Sequence, residues 1–288
     1  LKAYFFTNFT QDKVEYNASA EALDPINNTD AKTVGVSVDR AYFTAKYYFD
    51  KNLYARITTD VQLETGLAKR DNNIFLKAAY LEGKLAGDAL ILRIGQSHNP
   101  WIDYEQGLWK HRYASKVAAD YYGFDYSFDL GVGLKGTLAD GLFKYFATAT
   151  NGKGYGSGNT KFNAIDYNGR IGIYPVKGLT LDVQYRTGYK GSKTWNPATQ
   201  SNTLGTKSNF IQTMTTYGAT KNYRVGANYR NDKATNKTTN IATKQHGYAV
   251  WAWAKSGAKM GAFARFESLK TTVDGNATEM TTTHYVAG

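Results

Sequence analysis

The sequence contains no cysteine, which excludes disulfide frameworks, thiolate metal sites and cysteine nucleophiles. No run of about 18 apolar residues occurs, so no membrane-spanning helix is expected. No basic n-region with an apolar core and small-residue cleavage site opens the chain, and any secretory signal is expected to have been removed already. Acidic residues are the minority charge, 24 Asp and Glu against 35 Lys and Arg, for a net charge of +11 and a pI near 9.4. The basic residues fall singly along the chain instead of forming the patch or stripe of a nucleic-acid binder, so nucleic acid is not expected as a partner.

Catalytic patterns are missing as well. His98, His111, His246 and His284 show no metal-ligand spacing, and no Gly-x-Ser-x-Gly elbow is present. The run Gly131-Val132-Gly133-Leu134-Lys135-Gly136 has the glycine spacing of a dinucleotide loop. It lies inside an alternating strand with no helix after it, so the context that would give it meaning is absent. Without a nucleophile–base pair, the chain is not expected to be an enzyme, and no cofactor or metal is expected.

What the sequence does contain favours β-structure. Aromatics make up 15%, with 23 Tyr; Gly numbers 28 and Pro only 4. Tyr, Phe, Trp, Thr and Val suit a pleated, half-buried surface. Mean hydropathy is −0.50, which does not argue against a membrane barrel, because its strands need only about 10 residues of alternating hydrophobicity.

That alternation runs along the chain. In 34–49, Ala41, Phe43, Ala45, Tyr47 and Phe49 share one face, opposite Arg40, Tyr42, Thr44, Lys46 and Tyr48. After the turn at 50–52, Leu53, Ala55, Ile57 and Val61 oppose Tyr54, Arg56, Thr58 and Asp60. Period-two patterns of this kind specify strands with one apolar face, here joined as a hairpin. The pattern returns in 90–96, 124–135, 143–149, 165–173, 179–186 and beyond. Long polar links (11–33, 66–72, 99–122, 151–162, 191–207, 231–243, 271–280) alternate with tight ones (50–52, 86–88, 139–141, 175–178, 220–222, 256–259). Long loops at one end, short turns at the other and about fourteen strands predict an all-β fold, a transmembrane antiparallel up-and-down β-barrel in a single domain over 1–288. A barrel this wide is not filled by side chains. Its polar faces, carrying Arg40, Lys46, Arg56, Arg93, Arg170, Arg186, Arg224 and Arg230 against Asp60, Glu64, Asp129, Asp166 and Asp182, are therefore expected to line a wet lumen. Tyr47, Tyr48, Tyr54, Tyr185, Tyr189, Trp251 and Trp253, near strand ends, are expected in an interfacial aromatic girdle.

The stretch Arg40-Ala41-Tyr42-Phe43, and Leu92-Arg93-Ile94-Gly95-Gln96 followed by Pro100 and Tyr104-Glu105, resembles the phosphate-selective (O/P-type) superfamily of Gram-negative outer-membrane porins. The resemblance implies an outer-membrane homotrimer among membrane lipid, with a third external loop folded into the pore; 99–122 is the third long link here. It also implies a terminal aromatic residue, whereas this sequence ends Tyr285-Val286-Ala287-Gly288, so a barrel of sixteen strands with more chain is an expectation too. A phosphate-binding ladder is not carried over residue by residue. The function expected is passive diffusion of small anionic or neutral solutes with a weak anion preference. Lys110, His111, Arg112 and Lys116 on the loop would face Arg40, Lys46, Arg56, Arg93, Arg170, Arg186 and Arg224 on the wall. Asp103, Glu105 and Asp120 would complete a transverse field. The alternatives are a non-conducting barrel serving as adhesin or scaffold, and a soluble lectin-like β-protein.

Overall fold

The computed structural model describes residues 2–13, 32–62, 73–155, 164–193, 195–196, 198–203, 205–218, 220–257, 260–276 and 279–288. The strands are β1 (Lys2–Lys13), β2 (Lys32–Tyr48), β3 (Leu53–Gln62), β4 (Asn73–Ala86), β5 (Leu90–His98), β6 (Phe128–Leu138), β7 (Phe143–Thr150), β8 (Asp166–Ile173), β9 (Leu179–Gly188), the short pair β10 (Trp195–Asn196) and β11 (Ser201–Asn202), β12 (Thr206–Tyr217), β13 (Tyr223–Asn236), β14 (Ala242–Ser256), β15 (Met260–Val273) and β16 (Met280–Ala287). Two helices, α1 (Ile102–Trp109) and α2 (Ala118–Tyr121), interrupt the series between β5 and β6. Fourteen strands form one antiparallel sheet in sequence order, with β10 and β11 pairing apart inside the β9–β12 connection.

The chain divides into two units: Leu1–Ala45 with Thr58–Leu76, and Lys46–Ile57 with Lys77–Gly288. In the first, β1 pairs with β2 through a register shift at Phe6/Thr7, and Thr44 and Thr58 share a hydroxyl hydrogen bond of 2.9 Å. The second unit holds both helices and the site described below.

Burial in the second unit is inverted relative to a water-soluble protein. Ile94, Val132, Leu134, Ile171, Val183 and Val250 are exposed, while Asn168, Arg170, Gln184, Arg186, Gln212 and Arg230 on the other face of the sheet are buried. A sheet whose apolar residues face outward and whose charges face inward is built for an apolar solvent and a polar interior. Several of the buried side chains are hydrogen-bonded or ion-paired to one another. Asn168 and Gln184 donate to Asp125 Oδ2 at 2.9 and 2.7 Å, and Arg186 pairs with Asp166 at 3.3 Å and donates to Ser208 at 2.7 Å.

Three differences from the sequence expectation have local causes. Trp251 and Trp253 are buried on the polar face (4% and 5% exposed) instead of lying in an outer girdle, because helix α1 offers them an apolar surface inside. Tyr54 is half-buried and turned toward Tyr80, 6.2 Å away. The link expected over 231–243 shrinks to 237–241, since β13 and β14 stay paired through Thr235↔Ala242. Its polar residues are strand residues that continue beyond the apolar band.

Candidate functional site

The segment between β5 and β6 is fixed at many points to the polar face of the second unit. Entering, the Pro100 carbonyl accepts from Arg170 Nε at 2.9 Å and Tyr104 donates to Asp182 at 2.7 Å. Along α1, Trp101 Nε1 and Asn228 Nδ2 donate to Glu105 at 2.6 and 2.9 Å, and Trp253 Nε1 donates to the Leu108 carbonyl at 2.9 Å. Further on, Arg265 donates to Ser115 Oγ at 2.7 Å and to the Lys116 carbonyl at 2.5 Å. Tyr121 stacks on His284 with centroids 4.7 Å apart, and Phe124 stacks on Phe210 at 5.0 Å. These partners come from β8, β9 and β12 to β16, so this part of the sheet curls around the segment.

Helix α1 explains the attachment. Ile102, Glu105 and Trp109 are its buried residues, at the i, i+3, i+7 spacing that makes one stripe. Trp109 packs edge-on to Trp251 and Phe263, both at 5.7 Å. Gly226 permits the close approach of Trp251, since a Cβ there would lie 2.3 Å from the indole. Lys110 ends the helix in the left-handed region (φ 64°), where a non-glycine residue carries strain.

Beside the segment's entry lies a cavity of about 360 Å³. Lys46, Arg56, Arg93, Lys135 and Arg170 line it from the strands, and Asp103 is its one lining carboxylate. Behind that lining, Glu82 pairs with Arg93 and lies 2.9 Å from Lys135, and Asp182 lies 2.7 Å from Arg170. Asp103 itself is 3.0 Å from His98 Nε2. Aromatic faces hold the cations as well. Lys46 lies over Tyr54 at 5.1 Å, Arg93 between Tyr80 at 5.0 Å and Phe146 at 5.5 Å, and Arg170 over Tyr104 at 3.7 Å. Gly133 makes room for Phe146, whose ring would sit 2.9 Å from a Cβ there. Cations held against ring faces gain attraction from the ring quadrupole.

Of the residues singled out from sequence, Lys46, Arg56, Arg93, Asp103 and Arg170 converge on this cavity. The others lie elsewhere. Glu105 is 3% exposed and serves as an anchor; burial pushes its carboxyl up, against the pull of Arg230. Arg186 is buried with Asp166 and Ser208, and Arg224 donates to Thr216 at 2.7 Å. Lys110 lies over Trp253 at 4.5 Å, and His111 stacks on Phe263 at 4.2 Å. Arg112 lies 3.5 Å from Asp120, and Lys116 contributes its carbonyl to Arg265. The side chain of Arg40 lies outside the described residues. Sequence reasoning passed over Lys135, although it alternates with the outward Leu134, and His98, Tyr80 and Phe146, which no motif marks. Among the described residues no group of acidic or histidine side chains is arranged to hold a metal ion.

No family model matches the chain, and no curated protein matches it. Solved structures do. A loop L8 deletion mutant of OmpT, an outer membrane protein of Vibrio cholerae, superposes with a TM-score of 0.63 at 12% identity, over 99% of this chain and 87% of that one. An anion-selective porin from Comamonas acidovorans gives 0.60 at 12% identity, over 99% and 83%. OmpF of Salmonella typhi in complex with daunomycin gives 0.60 at 11% identity, over 96% and 80%. At these identities the likeness concerns the fold: an antiparallel up-and-down β-barrel of the outer-membrane class.

Proposed function

We propose that this chain is an outer-membrane porin of a Gram-negative bacterium, a passive diffusion channel for small hydrophilic solutes with a weak anion preference. The segment 99–122 is its inward-folded constriction loop, and the chain works without catalysis, as a homotrimer. The anion-selective porin among the structural neighbours supports the reading.

The observation that carries it is the basic cavity on the polar face of a sheet whose other face is apolar. Five cations line that cavity against Asp103, with Glu82 and Asp182 directly behind. Charge of both signs leaves a small positive surplus, which raises local anion concentration and biases permeation without trapping the ion. A unit charge about 7 Å from an ion in water is worth about 0.6 kcal/mol, or about threefold in permeability.

The test is planar-bilayer recording under a KCl gradient. The wild-type reversal potential should report a preference for chloride, and Arg93→Gln, which leaves Glu82 with Lys135, should lower the chloride-to-potassium permeability ratio about threefold. Clear cation selectivity of the wild type would overturn the anion preference. A folded barrel that never conducts would favour an adhesin or scaffold.

A further inference from the structure

The outward face of β12 to β15, at the long-loop end, breaks a rule of sheet pairing. Lys233 stands directly opposite Lys244, and His246 directly opposite Lys270. Lys207 is the diagonal neighbour of Lys233, since Asn209 faces Lys233 across the β12–β13 pair. Like charges directly opposite each other on one face are destabilising, so a row of this kind calls for a compensating anion. Two carboxylates from the β15–β16 connection meet part of the need: Asp274 lies 2.9 Å from Lys244 and Glu279 2.8 Å from Lys270. Lys207 and Lys233 make no ion pair with a described residue. Four ammonium groups therefore share two carboxylates.

The position of the row points to the anion. The same outward face carries an aromatic band nearer the strand centres: Tyr229 opposite Tyr248, Tyr248 against Phe266 at 5.8 Å, and Phe266 against Tyr285 at 5.1 Å. Aromatic bands of membrane barrels lie at headgroup level. Lys233 follows Tyr229 and Lys270 follows Phe266 by four positions, and Lys244 precedes Tyr248 by four, about 14 Å along a strand toward the long-loop end; His246 precedes Tyr248 by two, about 7 Å. The row thus stands at and just above the headgroups. It is also local, because the outward positions of β6 to β9 carry no Lys or Arg.

We propose that the outward face of β12–β15 binds the phosphate headgroup of an anionic lipid in the leaflet on the long-loop side, with Lys233 and Lys244 at its centre and Lys207 and Lys270 flanking. Paired ammonium groups give a phosphate several charge-assisted hydrogen bonds, while the interfacial part of the lipid lies against Tyr229, Tyr248 and Phe266. The site is on the outer wall and does not depend on conduction.

Native mass spectrometry of the detergent-solubilised chain, titrated with phosphatidylglycerol or phosphatidylcholine of the same acyl chains, tests it. Phosphatidylglycerol should bind about tenfold more tightly, a difference of about 1.4 kcal/mol. Lys233→Gln/Lys244→Gln should erase that preference and Lys233→Arg/Lys244→Arg should retain it. Lys51→Gln/Lys177→Gln, on the short-turn side, should leave it intact. Equal binding of the two lipids, or a preference untouched by the glutamine pair in a barrel that still folds, would overturn the site. Displacement of phosphatidylglycerol by inorganic phosphate at equal concentration would make it a free-phosphate site and overturn the lipid assignment.

Discussion

Burial disfavours the charged form of a histidine. His111 lies 4.2 Å from Phe263, nearly parallel to it, with the Tyr113 hydroxyl 2.8 Å from Nδ1 and Lys110 next in the chain. Burial, and then the Lys110 charge, hold its imidazole below the ordinary 6.5. Between the folded value and 6.5 the unfolded chain binds a proton that the folded chain refuses, so stability rises with pH across that window. The contribution is complete above 6.5 and is lost as pH falls through the folded value. His111→Phe keeps a ring on Phe263 and removes the titration. Urea midpoints measured between about pH 7.5 and about pH 5 should fall less in H111F than in the wild type, and parallel curves would refute the assignment. Single residues were also where the sequence was least legible. Asp103 and Glu105 read as equivalent loop carboxylates, yet one lines the cavity and the other is buried against Trp101 and Asn228. Two helical steps turn a side chain to the opposite side, and without the helix their separation is invisible.

At the scale of elements, α1 fastens the segment between β5 and β6, and its apolar stripe meets a wall that is otherwise polar. Trp109 is 1% exposed, packed on Trp251 and Phe263 with the Arg265 guanidinium 5.0 Å from its ring. Trp109→Ala should cost about 3–5 kcal/mol, read as a lowered urea midpoint of the refolded barrel. An unchanged midpoint would show that the polar anchors at Glu105 and Pro100 hold the segment unaided. The strands themselves were legible because period-two alternation is local: the Ile165–Ile173 and Leu179–Tyr185 runs stand as β8 and β9. The helices were not, since eight residues give too few turns for a 3.6 period to stand out from an irregular link. The upper ends of β13 and β14 were missed for a different reason. Lys233, Lys244 and their polar neighbours look like loop to a hydrophobicity pattern, although backbone pairing continues through them.

The whole molecule is organised by which solvent each face meets. Val132 lies mid-strand in β6, 44% exposed, between Ile94 of β5 and Ala149 of β7. Neither of these two neighbours could pair a charge. Lys46 projects on the opposite face, and its contact among the described residues is the Tyr54 ring. Were the apolar face in water, Val132→Arg would be nearly neutral, since surface substitutions away from special features stay within about 0.5 kcal/mol. Facing hydrocarbon, the same guanidinium at the midplane should cost about 2–4 kcal/mol. Lys46→Leu, on the wet face, should change stability little while lowering the chloride-to-potassium permeability ratio. Folding titrations of both variants into lipid vesicles separate the cases. A large loss for V132R beside a small one for K46L is what an inverted barrel requires, and a neutral V132R would remove the membrane from the account altogether.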